Sequence, residues 1–484
     1  MNRLLLPGLL LAAAAYAALP LVLPLQMDWL AGPIRLTGLA LALLVLAVYA
    51  WLAMGRRALR ADARGFRLRS RDVALLLAFP LYLLFIGNGL WLTSADNIST
   101  MALGPVVLRK GTIDLSSVPI YQKRRLPYSA IRVGDRILPA FPVGTGLLSV
   151  PYVAVTELTL PGGDDDALAG RRDKHLAALL TVATTVLFFL GVRSRHGETS
   201  ALAVTLVFAL ATTVLSNTSQ ALWSITGELF FLTVALNFLL TRDDSVRQAL
   251  LAGLAVGGAF ACRPTAVVAG GAMGILLWRR WRELLAYGSG VVASVGATLV
   301  ALQHIYGHPL GAYGLVNQGR WGSRVLEGLA GGLVSPSRGM LLFFPYLLLI
   351  PLGLPALRAE PRLRRTFLAA AAASLGLYLL VSGYDEWWGG ESIGPRLMTE
   401  AAPFLALLLL PLFRRWPALG RARWGLALAL ALAVATQLLS TYTTRGYDWN
   451  ARLDLHDPRL RWSVDQSQLV ALWCPSCVFP PPEP

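Results

Sequence analysis

The sequence predicts an all-α polytopic membrane protein, and three observations carry that prediction. Hydrophobic residues make up 55% of the 484-residue chain and charged residues only 14%, whereas soluble domains carry about 25% charged residues. Apolar runs of membrane-spanning length recur from end to end, giving a mean hydropathy of +0.57. Arginines cluster in every second connector between those runs, the signature of positive-inside topology.

Apolar runs fall at 4–26, 34–54, 73–93, 174–192, 199–216, 221–240, 248–262, 265–279, 284–304, 339–357, 366–383, 395–413 and 424–443, so about 13 transmembrane helices are expected. The first run resembles a signal peptide, with Ala15-Tyr16-Ala17 as a cleavage-like site. It exceeds the usual signal core in length, so an uncleaved anchor is expected. Three units follow: residues 1–72 with two extra helices and a basic loop, a 73–443 core holding a large outer loop over 94–173, and a 444–484 tail.

The basic clusters fix the orientation. Seven arginines from Arg56 to Arg71 crowd one short loop, and later clusters include Arg193/Arg195, Arg242/Arg247, Arg279/Arg280/Arg282, Arg358/Arg362/Arg364/Arg365 and Arg414/Arg415/Arg421/Arg423. With the spans above, all of these share one side, the cytoplasmic one. The net charge of +16 is therefore topological, and nucleic-acid binding is not expected. Residues 143–160 are apolar enough to pass for a span, but a crossing there would move every later cluster outside. They are expected to lie along the outer surface or re-enter, aided by Pro142, Gly144, Gly146 and Pro151. The same parity makes 249–278 a tight hairpin turning outward at Arg263-Pro264. One feature runs against the trend: the long outer loop holds Arg109, Lys110, Lys123, Arg124, Arg125, Arg132 and Arg136, although long loops weigh less in orientation.

Nucleotide-cradling and zinc-hydrolase motifs are absent, with no GxGxxG after a strand, no GxxxxGK[ST] and no HExxH. Asp164-Asp165-Asp166 reads as a solvated turn. The outer face instead gathers an acid and several arginines. Asp96 heads the loop, and 98–110 has the apolar pattern of an interfacial helix. Arg263, Arg338 and Arg396 each stand beside Pro or Gly at an outer end of a span. Guanidinium forks there suit a phosphate at headgroup depth, although any one of them could simply snorkel. The 384–396 segment adds Asp385, Glu386 and Glu391 for sugar hydroxyls and Trp387-Trp388 for ring stacking, the tryptophans alone also fitting an aromatic belt. Glu228 and Glu400 fall just inside apolar spans near the same face.

The ordered set of pieces resembles the GT-C glycosyltransferases, the multispanning group of protein O-mannosyltransferases and lipid A aminoarabinose transferases, and is most similar to the bacterial family-39-like members. Those pieces are Ser94-Ala95-Asp96, Phe141-Pro142-Val143-Gly144, Gln220-Ala221-Leu222-Trp223 with Glu228, Arg263-Pro264-Thr265, Ser335-Pro336-Ser337-Arg338-Gly339, Trp387 to Arg396, and Asp448-Trp449-Asn450 with His456-Asp457-Pro458 and Trp462. The resemblance implies a polyprenyl-phosphate sugar donor and inverting hexosyl or pentosyl transfer on the non-cytoplasmic face of a bacterial inner or plasma membrane. It makes Asp96 the general base. Relatives carry paired acids where this chain has Asp96-Asn97, so a second carboxylate would come from Asp114, Glu228 or Asp385, or not be needed. A divalent metal is left open, and the acceptor is a glycan, lipid or protein.

Two rivals stand beside that reading: a transporter or flippase of lipid-linked saccharides, which should hold ionisable groups near the bilayer midplane, and an inactive scaffold of the same fold. In the tail, Cys474 and Cys477 form a lone CxxC, better suited to a local disulfide than to zinc.

Overall fold

The computed structural model describes residues 70–89, 95–123, 125–159, 166–241 and 244–479. The first two expected spans and nearly all of the basic loop after them lie outside these residues. The described chain is helical nearly throughout, with one short hairpin pairing Ala130–Val133 with Arg136–Pro139. Among the described residues, six helical segments are long and apolar enough to cross a membrane: Arg172–His196, Ser224–Thr241, Trp281–Tyr306, Pro361–Gly383, Arg396–Arg414 and Ala422–Tyr442. Five shorter apolar helices accompany them, at Leu77–Ile86, Glu198–Leu210, Val246–Cys262, Ala266–Leu277 and Val325–Val334. The chain is an integral membrane protein, and among the described residues its apolar segments divide into six long helices and five short ones.

Most departures from a simple up-and-down bundle have a local cause. Helix Val246–Cys262 starts on a Ser245 cap, its hydroxyl accepting the Gln248 N–H, and stops at Arg263, whose φ of −160° and ψ of 120° are extended. Pro264 forces that conformation on the residue before it. A new helix, Ala266–Met273, begins at once, so the expected hairpin turns at Arg263-Pro264-Thr265. Glu198–Leu210 gives way to a π turn at Val214–Thr218, leaving Trp223 Nε1 to donate to the Asn217 carbonyl at 3.1 Å. The 339–357 run, broken by Pro345 and Pro351, forms a short helix and then a 3₁₀ stretch at Pro345–Gly353.

Small residues let helices meet closely where no water can drive association. A Cβ at Gly253 would fall 2.1 Å from the Tyr287 carbonyl oxygen, and one at Gly290 2.5 Å from that of Leu250. These two glycines seat Val246–Cys262 against Trp281–Tyr306. Helix Gly144–Thr159 packs on the interfacial helix Ala95–Lys110, and Gly144 touches the Ala261-Cys262 backbone. The stretch expected to avoid crossing thus buttresses the turn that presents Arg263. The tail helices Arg445–Arg452 and Gln468–Trp473 fold back over the 387–394 loop, and Trp387, Trp388, Trp449, Leu455 and Ala471 form a separate buried cluster. Cys474 and Cys477 are disulfide-bonded.

Candidate functional site

Helix directions assign the two ends of the bundle. Arg193 and Arg195 end one helix, Arg247 starts another, Arg362 begins Pro361–Gly383 and Arg414 ends the Arg396–Arg414 segment. The opposite ends of these same or adjoining helices carry Arg263, Tyr384 and Arg396. Those three residues line one cavity of about 660 Å³. Its size lies within the range usual for ligand sites.

Asp96 sits in the first turn of Ala95–Lys110, where the amide dipoles favour a negative charge. Arg396 Nη1 donates to its Oδ2 at 2.9 Å, and the Tyr128 hydroxyl donates to its Oδ1. Burial pushes the Asp96 carboxyl up, but the Arg396 guanidinium, the Tyr128 hydrogen bond and the more distant Arg263 outweigh it and hold the group below the usual carboxylate range. Burial, together with the Asp96 charge, raises the Tyr128 phenol, so it stays a neutral donor. The Arg396 guanidinium carbon lies 5.2 Å from the centre of the Trp223 ring, a cation–π seat.

Arg263 forms the second charged group of the wall. Its Nε lies 3.1 Å from Glu400 and 4.0 Å from Glu228, both fully buried carboxyls. Thr265 Oγ1 receives from Arg263 Nε at 3.2 Å and donates to Glu400 Oε2 at 2.6 Å. The Arg-Pro-Thr turn thereby holds the guanidinium toward the cavity with a buried acid behind it. Across the cavity, Arg320 lies 3.7 Å from Glu386, and Glu391 also lines the wall. Aromatic rings come from Tyr313, Trp321, Tyr384 and Tyr447, with Trp321 and Tyr384 in contact at 5.3 Å between centroids.

The structure brings together Asp96, Arg263, Arg396, Glu386 and Glu391, with Glu228 behind Arg263. It separates the others. Arg338 is buried away from this cavity, and its donors go to the carbonyls of Trp388 (3.0 Å), Ser337 (3.1 Å) and Gly390 (3.1 Å), to Asn450 (3.3 Å) and to Gln468. A guanidinium so engaged holds the loop instead of a ligand phosphate, which corrects the expectation for Arg338. Trp387 and Trp388 pack edge to face in the buried tail cluster and offer no stacking face to the cavity, a second correction. Asp385 accepts the Ser323 N–H at 2.9 Å, and its own N–H donates to the Arg320 carbonyl at 3.0 Å, so it sutures two loops. Asp114 caps a turn and accepts the Ile137 N–H. Asn97 is fully buried beside Asp96, outside the cavity lining. The second carboxylate expected near Asp96 thus has Glu391 and Glu386 as its wall candidates.

Sequence reasoning missed Tyr128, Tyr313, Arg320 and Tyr447, and no local signal marks them. Among the described residues, no three His, Cys, Asp or Glu side chains converge as a metal-holding set.

No family model and no curated protein matches the chain. One solved structure similar to it is ArnT from Cupriavidus metallidurans bound to undecaprenyl phosphate, at 16% identity and a TM-score of 0.47, the match covering 84% of this chain and 74% of that one.

Proposed function

We propose that this chain is an inverting glycosyltransferase that moves a sugar from a polyprenyl-phosphate donor to an acceptor hydroxyl at the outer membrane surface. The observation that carries the reading is the Asp96–Arg396 pair at 2.9 Å in the wall of a cavity that also presents Arg263. An acid beside two guanidiniums is what a lipid-phosphate sugar requires. The acceptor oxygen bonds to the anomeric carbon as the carbon–oxygen bond to phosphate breaks, and the phosphate oxygen keeps the electron pair. Asp96 takes the acceptor proton and later loses it to water. Arg396 and Arg263 face the oxygens on which charge grows, so they stabilise the transition state more than the ground state. Attack on the face opposite the phosphate inverts the anomeric centre.

The position of the cavity at the helix ends opposite the arginine clusters supports a site on the non-cytoplasmic side, by the positive-inside rule. The disulfide in the tail agrees with an oxidising compartment. A lipid donor also accounts for a site without a phosphate-cradling glycine loop. Against a transporter, the ionisable groups of the cavity sit at helix ends and loops.

The test is transfer by the purified protein, reconstituted with a polyprenyl-phosphate sugar and a pool of envelope glycans and glycolipids. Acceptor-dependent release of free polyprenyl phosphate is expected, falling about 10²- to 10⁴-fold in Asp96→Asn. Movement of the intact lipid-linked sugar between leaflets without cleavage would establish the transporter instead.

A further inference from the structure

Each cavity arginine already faces a carboxylate: Arg320 faces Glu386 at 3.7 Å, Arg263 faces Glu400 at 3.1 Å and Arg396 faces Asp96 at 2.9 Å. A phosphate entering this cavity therefore competes with an acid for the charge of each guanidinium. The three exchanges differ in cost. Parting Arg263 from Glu400 leaves a fully buried carboxylate with the Thr265 hydroxyl but without its counter-charge, which low dielectric penalises heavily. Arg320 and Glu386 are both well exposed, so their pair is weak and screened and gives a phosphate little to gain. Asp96 is different. Its side chain keeps partial exposure, and when Arg396 leaves it still holds the Tyr128 hydroxyl on Oδ1. Arg396 keeps its seat on Trp223, so a modest swing of the guanidinium edge is enough.

We propose that Asp96 and the donor phosphate compete for Arg396, so that arrival of the donor uncovers the base. This rests on the glycosyltransferase reading and adds an order to it. Without a donor, Oδ2 carries the Arg396 hydrogen bond and Oδ1 that of Tyr128, so the charge that would draw the acceptor proton is already engaged. With the phosphate on Arg396, the Oδ2 charge is released for the acceptor proton while Tyr128 still donates to Oδ1. Tyr128 is thus a positioning residue, and Arg396 serves as cover in one state and phosphate clamp in the next. Binding free energy from the donor is thereby used to assemble the reactive geometry.

Binding of undecaprenyl phosphate to the full chain in nanodiscs tests this without any turnover. Asp96→Asn is expected to bind about fivefold tighter than wild type, because the competitor for Arg396 has lost its charge. Arg396→Ala should bind about tenfold weaker. The decisive comparison is Asp96→Asn in the Arg396→Ala background, where the gain should vanish. A gain that persists there reports simple repulsion between Asp96 and phosphate and overturns the exchange, as does unchanged or weaker binding in Asp96→Asn alone. Thermal melting of each variant verifies folding, and Asp96→Ala replaces any Asn variant that melts early. If wild type binds no polyprenyl phosphate, the glycosyltransferase reading itself falls; if it binds and the Asn variant does not gain, only the exchange falls.

Discussion

Two arginines that look alike in sequence end in opposite roles. Arg338 and Arg396 each follow a proline-containing turn at the same end of the bundle. Arg396 lines the cavity with one carboxylate and one indole ring as partners, a set that a ligand can displace. Arg338 is almost wholly buried and donates to five neutral acceptors across three chain segments. The difference shows what separates a ligand-binding guanidinium from a structural one. A charge-bearing, partly open partner leaves an exchange possible, whereas a complete set of buried neutral acceptors fixes the group for good.

That contrast can be broken in four ways. The largest effect is expected on stability: Arg338→Ala leaves several buried carbonyls unsatisfied and should cost about 3 kcal/mol, seen as a lower melting midpoint, while Arg396→Ala should melt near wild type. Equal melting of the two variants would erase the distinction. Next, Gly394→Ala should destabilise by about 1–2 kcal/mol, because φ is +58° and the new Cβ meets the Phe343 ring at 3.0 Å. Third, Arg396→Ala should shift the acid limb of the kcat/KM profile upward. Asp96 acts when ionised, and Arg396 lowers its pKa, so activity in wild type survives to more acidic pH and removing Arg396 brings the loss earlier. An unmoved limb would assign that limb to another group. Smallest, Trp388→Phe should alter melting by less than about 2 kcal/mol and leave phosphate binding unchanged, since its ring faces Arg461 at 4.4 Å and not the cavity.

Much of the frame was legible because hydropathy and arginine parity are local signals. Arginine parity marked Arg263-Pro264 as a helix break, and the same parity argument kept 143–160 out of the list of crossings. Asp96, Arg263 and Arg396 could be read as one site because all three mark helix ends on one face. Arg338 fits that description equally well. Its role is decided by Asn450 and Gln468, more than a hundred residues away, and no spacing rule links them. Tyr128 was hidden for the same reason: its contact with Asp96 depends on how the loop before the hairpin folds over the interfacial helix. The paired tryptophans misled because a belt residue, a stacking residue and a core residue share one composition, and only packing tells them apart.

The tail's hold on the 390–394 loop has a consequence for biogenesis. Gln468 receives the Gly394 N–H at 2.8 Å and donates to the Ser392 carbonyl at 2.9 Å, while Asn450 donates to that same carbonyl at 3.1 Å. Both side chains belong to residues that the ribosome makes after the helix ending at Tyr442, and on the proposed topology they must then be exported. Until that last segment has been exported, one wall of the cavity has no clamp and Arg338 lacks two of its acceptors. A nascent chain arrested near residue 444 would hold Asp96, Arg263 and Arg396 and yet no closed site. Export of the tail would therefore close the site that the inserted bundle has already brought together.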